Sequence, residues 1–189
     1  MNKKEKGEYG YRTYRRQFQL GIVLLAVVAI LIQLGARNFT QKTEIKNILT
    51  VMAVLTVLPM ANVASPLVAS WRYKQLDRRF YEACRVFEDR FVLLYELVIT
   101  SREQIIPVEA AAVHPSGIYL YCPSERLNTA KAKEYLTETL KAERFKLPVQ
   151  IIREEQAFLK RLGNLKAAAG EDDEIEMTAA ANVLKRLSM

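Results

Sequence analysis

The sequence has few of the residues that build metal and nucleophile sites. Its 189 residues include two cysteines and one histidine. Cys84 and Cys122 are not part of a CxxC pattern, so we expect two free thiols and neither a disulfide nor a metal pair. A zinc site would lack its usual imidazole ligands. The GxGxxG, GxxxxGK[ST], HExxH and GxSxG patterns are also absent, which argues against the common nucleotide, zinc-protease and α/β-hydrolase sites.

The single histidine limits nucleophilic catalysis in the same way. A general base of imidazole type would have to be His114, which stands directly before Pro115-Ser116-Gly117. That tripeptide is a strong turn signal, so we interpret His114 as a strand-end residue and not as a catalytic base. We therefore predict no catalytic residue, no cofactor and no metal.

Charge is missing from two long stretches near the amino end. Residues 18–36 and 48–71 carry no Asp, Glu, Lys or Arg, and each reaches the roughly 20 residues that a bilayer core requires. A short polar link, 37–47, separates them. We expect two transmembrane helices over 18–71, because a helix pairs its own backbone groups while lipid surrounds its apolar side chains.

Two alternatives exist for this apolar part. A signal peptide would have a shorter apolar run and a small-x-small cleavage site. A transporter would need Gln33 and Asn62 to line a wet path. With no charged residue in either stretch, we expect both to hydrogen-bond between the helices or across a dimer. Pro59 and Pro66 predict a kink in the second helix.

Positive charge is concentrated around the apolar stretches. Residues 1–71 carry nine Lys/Arg and three Asp/Glu, whereas residues 72–189 carry nineteen and eighteen. The net charge of +7 therefore points to a lipid bilayer as the partner and not to nucleic acid. The basic flank 1–17 and the Lys/Arg after residue 71 outnumber those in the link, so we predict that both termini are cytoplasmic.

Hydrophobic periodicity after the apolar stretches predicts a small cytosolic α/β domain over residues 72–165, in the order α-β-β-β-α-β-α. The predicted elements are helix 73–90, strands 91–100, 104–114 and 118–122, helix 130–145, strand 148–153 and helix 154–162.

Smaller signals refine this domain. Pro107 indicates an edge or an irregularity in the second strand. Asn128 or Thr129 is expected to cap the helix that follows the hairpin, and Gly163 to stop the last one. Residues 166–189 are expected to form an acidic linker and a weakly amphipathic terminal helix.

The element order, with a hairpin turned by Pro-x-Gly, resembles the restriction-endonuclease-like fold, and in particular the nuclease-related domain of membrane-anchored bacterial proteins. In that family an acid opens the second strand, and the third strand begins Gly-Ile-aromatic. Glu109 falls at the position of that acid, and Glu82, four residues before Val86, would match a further acid. The turn and third strand are matched by Pro115, Gly117, Ile118 and Tyr119.

The resemblance ends where the family presents Glu-x-Lys. Cys122 takes the place of the second acid, and Ser124 that of the lysine. The family site implies a divalent metal held by two carboxylates, with a lysine near the attacking water. A thiol and a hydroxyl are poor substitutes, since Mg²⁺ prefers hard oxygen ligands. The resemblance therefore implies a catalytically inactive descendant.

We accordingly expect a membrane-anchored protein whose nuclease-like domain is inactive and acts as a binding or scaffolding module, for a protein partner or a second copy. The alternative is a membrane-tethered, metal-dependent nuclease with a site rearranged around Glu109, Glu125 and Lys131 or Lys133. Cys122 would be a reactive thiol only if a neighbouring cation or helix lowered its pKa, and the run IYLYC is more typical of a core residue.

Overall fold

A computed structural model describes residues 4–71, 75–167 and 170–188. The chain forms two compact units, and one of them is assembled from both ends of the sequence. The first consists of Met1–Arg12 together with Gln75–Met189, and the second of Thr13–Lys74.

The second unit is built from two helices of 29 residues each, α1 (Tyr11–Phe39, whose first two residues belong to the first unit) and α2 (Thr43–Trp71). Both are long and apolar enough to cross a membrane. The predicted polar link 37–47 is wrong in extent, because only residues 40–42 between the helices are non-helical. The flanking polar residues are ordinary helix formers, so each helix continues beyond its apolar run.

The two prolines of α2 lie inside the helix, which continues through Pro59 and Pro66. Most large apolar side chains of α1 and α2 are exposed; Leu25, for example, is 72% exposed. Gln33 lies in α1 with its side-chain oxygen Oε1 buried and without a hydrogen-bond partner in the described structure.

The first unit contains a mixed four-stranded sheet in the order β1-β2-β3-β4. Its strands are β1 (Val92–Thr100), β2 (Ile105–His114), β3 (Gly117–Tyr121) and β4 (Val149–Ile152). The first three are antiparallel, and β4 runs parallel to β3. The predicted strands are confirmed; each contains β-branched residues, and β1 and β3 contain tyrosine as well.

Pro107 lies in an interior strand, but at a position that has no partner on β3. It pairs with Val98 of β1, whereas the pairing of β2 with β3 covers only Ala110 to His114. The missing N–H of Pro107 therefore costs no bond to β3.

The helix before the sheet is shorter than predicted. We expected helix 73–90; α3 spans Arg78–Arg85, and the first two residues of the prediction lie outside the described residues. Asp77 sets its start by accepting a hydrogen bond from the N–H of Arg79 at 2.9 Å, as an N-cap residue does. Phe80 and Cys84 face the core, as the periodicity predicted.

The connection from β3 to β4 is the helix α4 (Thr129–Ala142), and Asn128 is its N-cap, accepting a hydrogen bond from the N–H of Lys131 at 3.2 Å. Helix α5 (Glu155–Asn164) follows β4. The prediction that Gly163 stops this helix is wrong, because Gly163 lies inside it and the helix ends where Leu165 turns into the core.

The carboxyl-terminal region is part of the folded unit. Part of the predicted acidic linker 166–176 is helical, because α6 spans Glu171–Leu187. Met177 and Leu184 are buried in the core cluster. The helix packs on β1 and β2, so burial of its apolar face outweighs its acidic first turns.

The amino-terminal segment, which we expected to be a membrane flank, also packs on the sheet. The N–H of Tyr95 donates to the carbonyl of Gly7 at 2.8 Å, and Tyr9 stacks on Tyr81 at 4.2 Å between ring centroids. On the same edge strand, the N–H of Val98 donates to Ser188 Oγ at 3.1 Å. Both ends of the chain thus cover the outer edge of β1, which would otherwise present unpaired N–H groups.

Two glycines test the close approach of β3 to Pro148 and the helical position of Gly163. Gly117 has φ of +144°, and a Cβ there would lie 2.6 Å from the carbonyl oxygen of Pro148, whereas a Cβ on Gly163 would meet nothing within 4 Å. Gly117→Ala should lower the free energy of unfolding by about 1–3 kcal/mol, and Gly163→Ala should raise it by about 0.4–1 kcal/mol. Chemical denaturation of the detergent-solubilised chain, followed by near-ultraviolet circular dichroism, measures both. Equal changes in the two variants would contradict the helical position of Gly163.

Candidate functional site

A charged residue interrupts the apolar strand β1. Glu96 is 3% exposed and has φ of +54°, a conformation that residues other than glycine rarely adopt. The β1–β2 pairing is regular at Tyr95–Ala110 and again at Leu97–Val108. Glu96 therefore lies opposite Glu109, at a break in the ladder. Such strain persists only where surrounding contacts hold the residue in place.

The carboxylate of Glu96 binds two backbone groups that are distant in sequence. Its Oε2 accepts a hydrogen bond from the N–H of Arg12, and its Oε1 accepts one from the N–H of Leu76, both at 3.0 Å. Arg12 lies in the first turn of α1, where N–H groups lack helical partners and negative charge is favoured. Leu76 lies between α2 and α3. One carboxylate thus binds the chain at the start of α1 and again after the end of α2; we call these two helices the apolar hairpin.

The side chain of Arg12 binds the second carboxylate. Its Nη1 lies 3.3 Å from both oxygens of Glu109, and the two side chains are 6% and 17% exposed. Two carboxylates directly opposite each other on neighbouring strands repel. A guanidinium beside them offsets part of this repulsion and part of the cost of burial.

Burial raises the pKa of the Glu109 carboxyl above its ordinary value. The positive charge of Arg12 and its hydrogen bond oppose this rise, and the charge of Glu96 adds to it. Because burial disfavours the ionised form more than Arg12 favours it, folded Glu109 holds its proton more tightly than a solvated glutamate.

The strand register places Cys122 beside Glu109. Ala110 pairs with Tyr121 at the end of the β2–β3 ladder, so extending the register by one residue places Cys122 next to Glu109. The N–H of Cys122 donates to the carbonyl of Ile152 at 2.9 Å. Cys122 is fully buried. Burial, and secondarily the charge of Glu109, raises its pKa to about 12. A raised pKa leaves a protonated, weakly nucleophilic thiol.

Glu96, Glu109 and Cys122 thus form one row across three neighbouring strands, which we call the carboxylate row. The two positions that the family resemblance implies for metal-binding acids, Glu109 and Cys122, come together in it. Arg12 lies at the row with its positive charge. The chain itself therefore supplies the cation at the place where the resemblance implies a metal.

The other candidate residues lie apart from the row. Ser124 and the exposed Glu125 stand in the turn after β3. Glu82 is 58% exposed and pairs with Arg78 along α3. Lys131 pairs with Glu103 at 2.6 Å. The remaining candidate, Lys133, is exposed on α4.

The candidate residues, in the row and outside it, do not fit the metal site of the nuclease-related domain. Within residues 4–71, 75–167 and 170–188, no group of three or more His, Cys, Asp or Glu is placed to hold a metal ion. The row offers two carboxylates already engaged by protein donors and one thiol. Mg²⁺ needs near-octahedral oxygen ligands, which this arrangement does not provide.

No family model, curated protein or solved structure matches the chain. The resemblance to the nuclease-related domain therefore rests on the residues quoted above.

Arg12 and Glu96 are not among the site residues predicted from the sequence. Glu96 carried a usable signal, because it is the one charged residue in the otherwise apolar run FVLLYELVIT, and a lone buried charge implies a partner. Arg12 carried none, since it is one of six Lys/Arg in the first 16 residues and its partner lies 97 positions away.

Replacing Glu96 by Gln tests the role of its two oxygens. A carboxamide has one acceptor oxygen, so the N–H of Arg12 or that of Leu76 would lose its partner while buried. We expect Glu96→Gln to lower the free energy of unfolding by about 1–3 kcal/mol, measured by chemical denaturation of the solubilised chain. The control, Glu125→Gln, changes an exposed glutamate in a loop and should stay within about 0.5 kcal/mol of the wild type. A Glu96→Gln protein with the same free energy of unfolding as the wild type would contradict a stabilising role for these two hydrogen bonds.

The raised pKa of Glu109 predicts a pH dependence of stability. The folded state binds this proton more tightly than the unfolded state, so the stabilisation is complete below the ordinary value of 4.5 and is lost as pH rises through the raised value. The free energy of unfolding of the wild type relative to Glu109→Gln should therefore fall across this window, in denaturation curves recorded from pH 4 upward. The control is Glu103, whose pKa Lys131 lowers. The stabilisation from Glu103 is present above its ordinary value of 4.5 and is lost as pH falls through the lowered value. The free energy of unfolding of the wild type relative to Glu103→Gln should therefore change little above pH 4.5 and fall only below it.

Proposed function

We propose that the protein is a two-span membrane protein with both termini in the cytoplasm, and that its α/β unit is a binding or scaffolding module held at the membrane surface. Its partner is a protein or a second copy of the chain. The observation that carries this proposal is the assembly of the α/β unit from both flanks of the apolar hairpin.

The two apolar helices support insertion into lipid. They carry no charge over residues 18–36 and 48–71, and their large apolar side chains, such as Leu25 and Val68 at 72% each, are exposed. Moving apolar surface from water into lipid is favourable by about 25 cal/mol for each Å². Lipid is therefore the solvent that suits this surface.

The shared unit supports placing both termini on one side. Residues 4–12 precede α1 and residues 75–188 follow α2, and the two parts pack on one sheet. A chain that crossed the membrane once or three times would put these parts in different compartments. Two crossings are compatible with the packing.

Charge and aromatic residues support the cytoplasm as that side. The guanidinium of Arg16 lies over the ring of Trp71, 5.6 Å from its centroid, so the start of α1 and the end of α2 lie at one end of the hairpin. Arg and Trp are typical of the membrane interface. The Lys/Arg around this end outnumber Arg37, Lys42 and Lys46 at the other, and the larger number favours the cytoplasm.

The carboxylate row supports a binding role over the nuclease alternative. Glu109 pairs with Arg12, and Cys122 is a buried thiol. Lys131 is engaged by Glu103. Glu109 and Lys131, which a rearranged nuclease site would use together, are thus engaged by different partners.

Introduced cysteines test the topology. Cys84 and Cys122 are buried, and burial raises the pKa of each thiol to about 12, so the wild type should not react with a membrane-impermeant maleimide. Gln41→Cys lies between α1 and α2 and should be labelled on intact cells. The matched variant Glu125→Cys lies in an exposed loop of the α/β unit and should be labelled only after the membrane is permeabilised.

Three results would contradict the proposal. Recovery of the chain in the aqueous fraction after lysis without detergent would contradict membrane insertion. The reverse labelling pattern would contradict the cytoplasmic placement. Metal-dependent cleavage of DNA or RNA by the purified chain, abolished by Glu109→Ala, would contradict the binding role and favour the nuclease alternative.

A further inference from the structure

The turn between β2 and β3 carries a hydrogen-bonded cluster that the carboxylate row does not include. His114 Nδ1 lies 2.7 Å from Ser116 Oγ, and that Oγ lies 3.0 Å from the hydroxyl of Tyr119. The hydroxyl of Tyr119 accepts a hydrogen bond from Arg161 Nη2 at 3.1 Å. On the other side of the imidazole, Nε2 lies 3.0 Å from the carbonyl oxygen of Lys166. We call this set the turn cluster.

The partners of His114 fix which ring nitrogen carries the proton. A carbonyl oxygen can only accept, so Nε2 donates to Lys166. The neutral ring then has its lone pair on Nδ1, which accepts from the backbone N–H of Ser116 at 3.0 Å and from the Ser116 hydroxyl. The lone pairs of Oγ are left to accept from the hydroxyl of Tyr119. Every donor in this assignment has one acceptor.

This geometry places three catalytic functions around one atom. A nucleophilic serine requires a base within hydrogen-bond reach, and a third group must orient that base. The imidazole of His114 meets the first requirement at Ser116, and the carbonyl of Lys166 meets the second. An oxyanion requires a nearby donor, and the hydroxyl of Tyr119 is such a donor, polarised by the cation of Arg161.

We propose that Ser116 is a nucleophile that accepts an acyl group from a carboxylic ester, with His114 as general base and Tyr119 as donor to the oxyanion. Arg161 is a positioning residue, which holds the hydroxyl of Tyr119 and lies over its ring at 4.7 Å from the centroid. Ser116 is exposed at the turn, so an ester can reach Oγ without a structural change. The exposed charge of Arg161 favours esters that carry an anionic group.

The reaction proceeds in two steps. Ser116 Oγ forms a bond to the acyl carbon, the carbonyl oxygen takes the π electrons as an oxyanion, and the Oγ proton passes to His114 Nδ1, so the Ser116 N–H loses its acceptor. The hydroxyl hydrogen of Tyr119, which Oγ accepts at rest, turns to the oxyanion. The bond from the acyl carbon to the alcohol oxygen then breaks, and the alcohol leaves with that proton. In the second step water attacks the acyl-serine, again losing a proton to His114. The Oγ–carbon bond breaks, a carboxylic acid is released, and Oγ recovers its proton.

A fluorophosphonate probe tests the nucleophile in the full-length, detergent-solubilised chain. Oγ would displace fluoride from phosphorus, and peptide mass mapping would identify the modified serine. We expect labelling at Ser116, its loss in Ser116→Ala, and a rate lower by about 100-fold in His114→Gln, the size of a general-base contribution. Tyr119→Phe should lower the rate by about 100-fold as well, as removal of an oxyanion donor does.

The β1–β2 turn provides a matched serine. Ser101 also donates a hydrogen bond within a turn, to the carbonyl of Gln104 at 2.8 Å, but no imidazole is its partner in the described structure. Ser101→Ala should label like the wild type. Circular dichroism shows whether each variant is folded, and the label on the wild type decides the matter if one is not. Labelling of Ser116 no faster than that of Ser101, or an equal rate in a folded His114→Gln protein, would overturn the proposal.

Discussion

The structure depends on the carboxylate of Glu96 and the two backbone N–H groups that it binds. Burying a carboxylate costs several kcal/mol, and the left-handed backbone of Glu96 adds about 1–3 kcal/mol. Charge-assisted hydrogen bonds are about twice as strong as neutral ones, and two of them oppose these costs. They join Arg12 and Leu76 to β1, so the amino-terminal segment and the chain just before α3 are fixed on the same strand.

The positive charge of Arg12 offsets part of the repulsion between the two buried carboxylates. Without Arg12, Glu96 and Glu109 would face each other across neighbouring strands without the charge that now pairs with Glu109. Its guanidinium pairs with Glu109, while its N–H serves Glu96. The same residue therefore connects the amino-terminal segment to β1 and to β2. A glutamate that reads as a metal ligand in the sequence thus has an internal partner and a structural role.

Local patterns predicted the elements well and their long-range partners poorly. The strands of the sheet followed from β-branched and aromatic runs, and the apolar helices from the absence of charge. Helix ends were wrong at Gly163, where the burial of Leu165 decides the boundary, and in the acidic first turns of α6, where packing on the sheet outweighs composition. The pairing of Arg12 with Glu109 spans 97 positions, and no local pattern reports such a contact. The row therefore appeared only in three dimensions.

The carboxylate row and the turn cluster differ in where their hydrogen bonds lead. In the row, buried carboxylates accept from groups of the same chain, and a thiol with a pKa of about 12 stays protonated beside them. A substrate there would have to displace Arg12, which would leave Glu109 without its cation. In the turn cluster each donor points toward the imidazole, from Arg161 through Tyr119 to Ser116, and the hydroxyl next to the base is at the surface. Chemistry that needs an accessible, polarised atom is therefore favoured at the turn, while the row serves to hold the unit together.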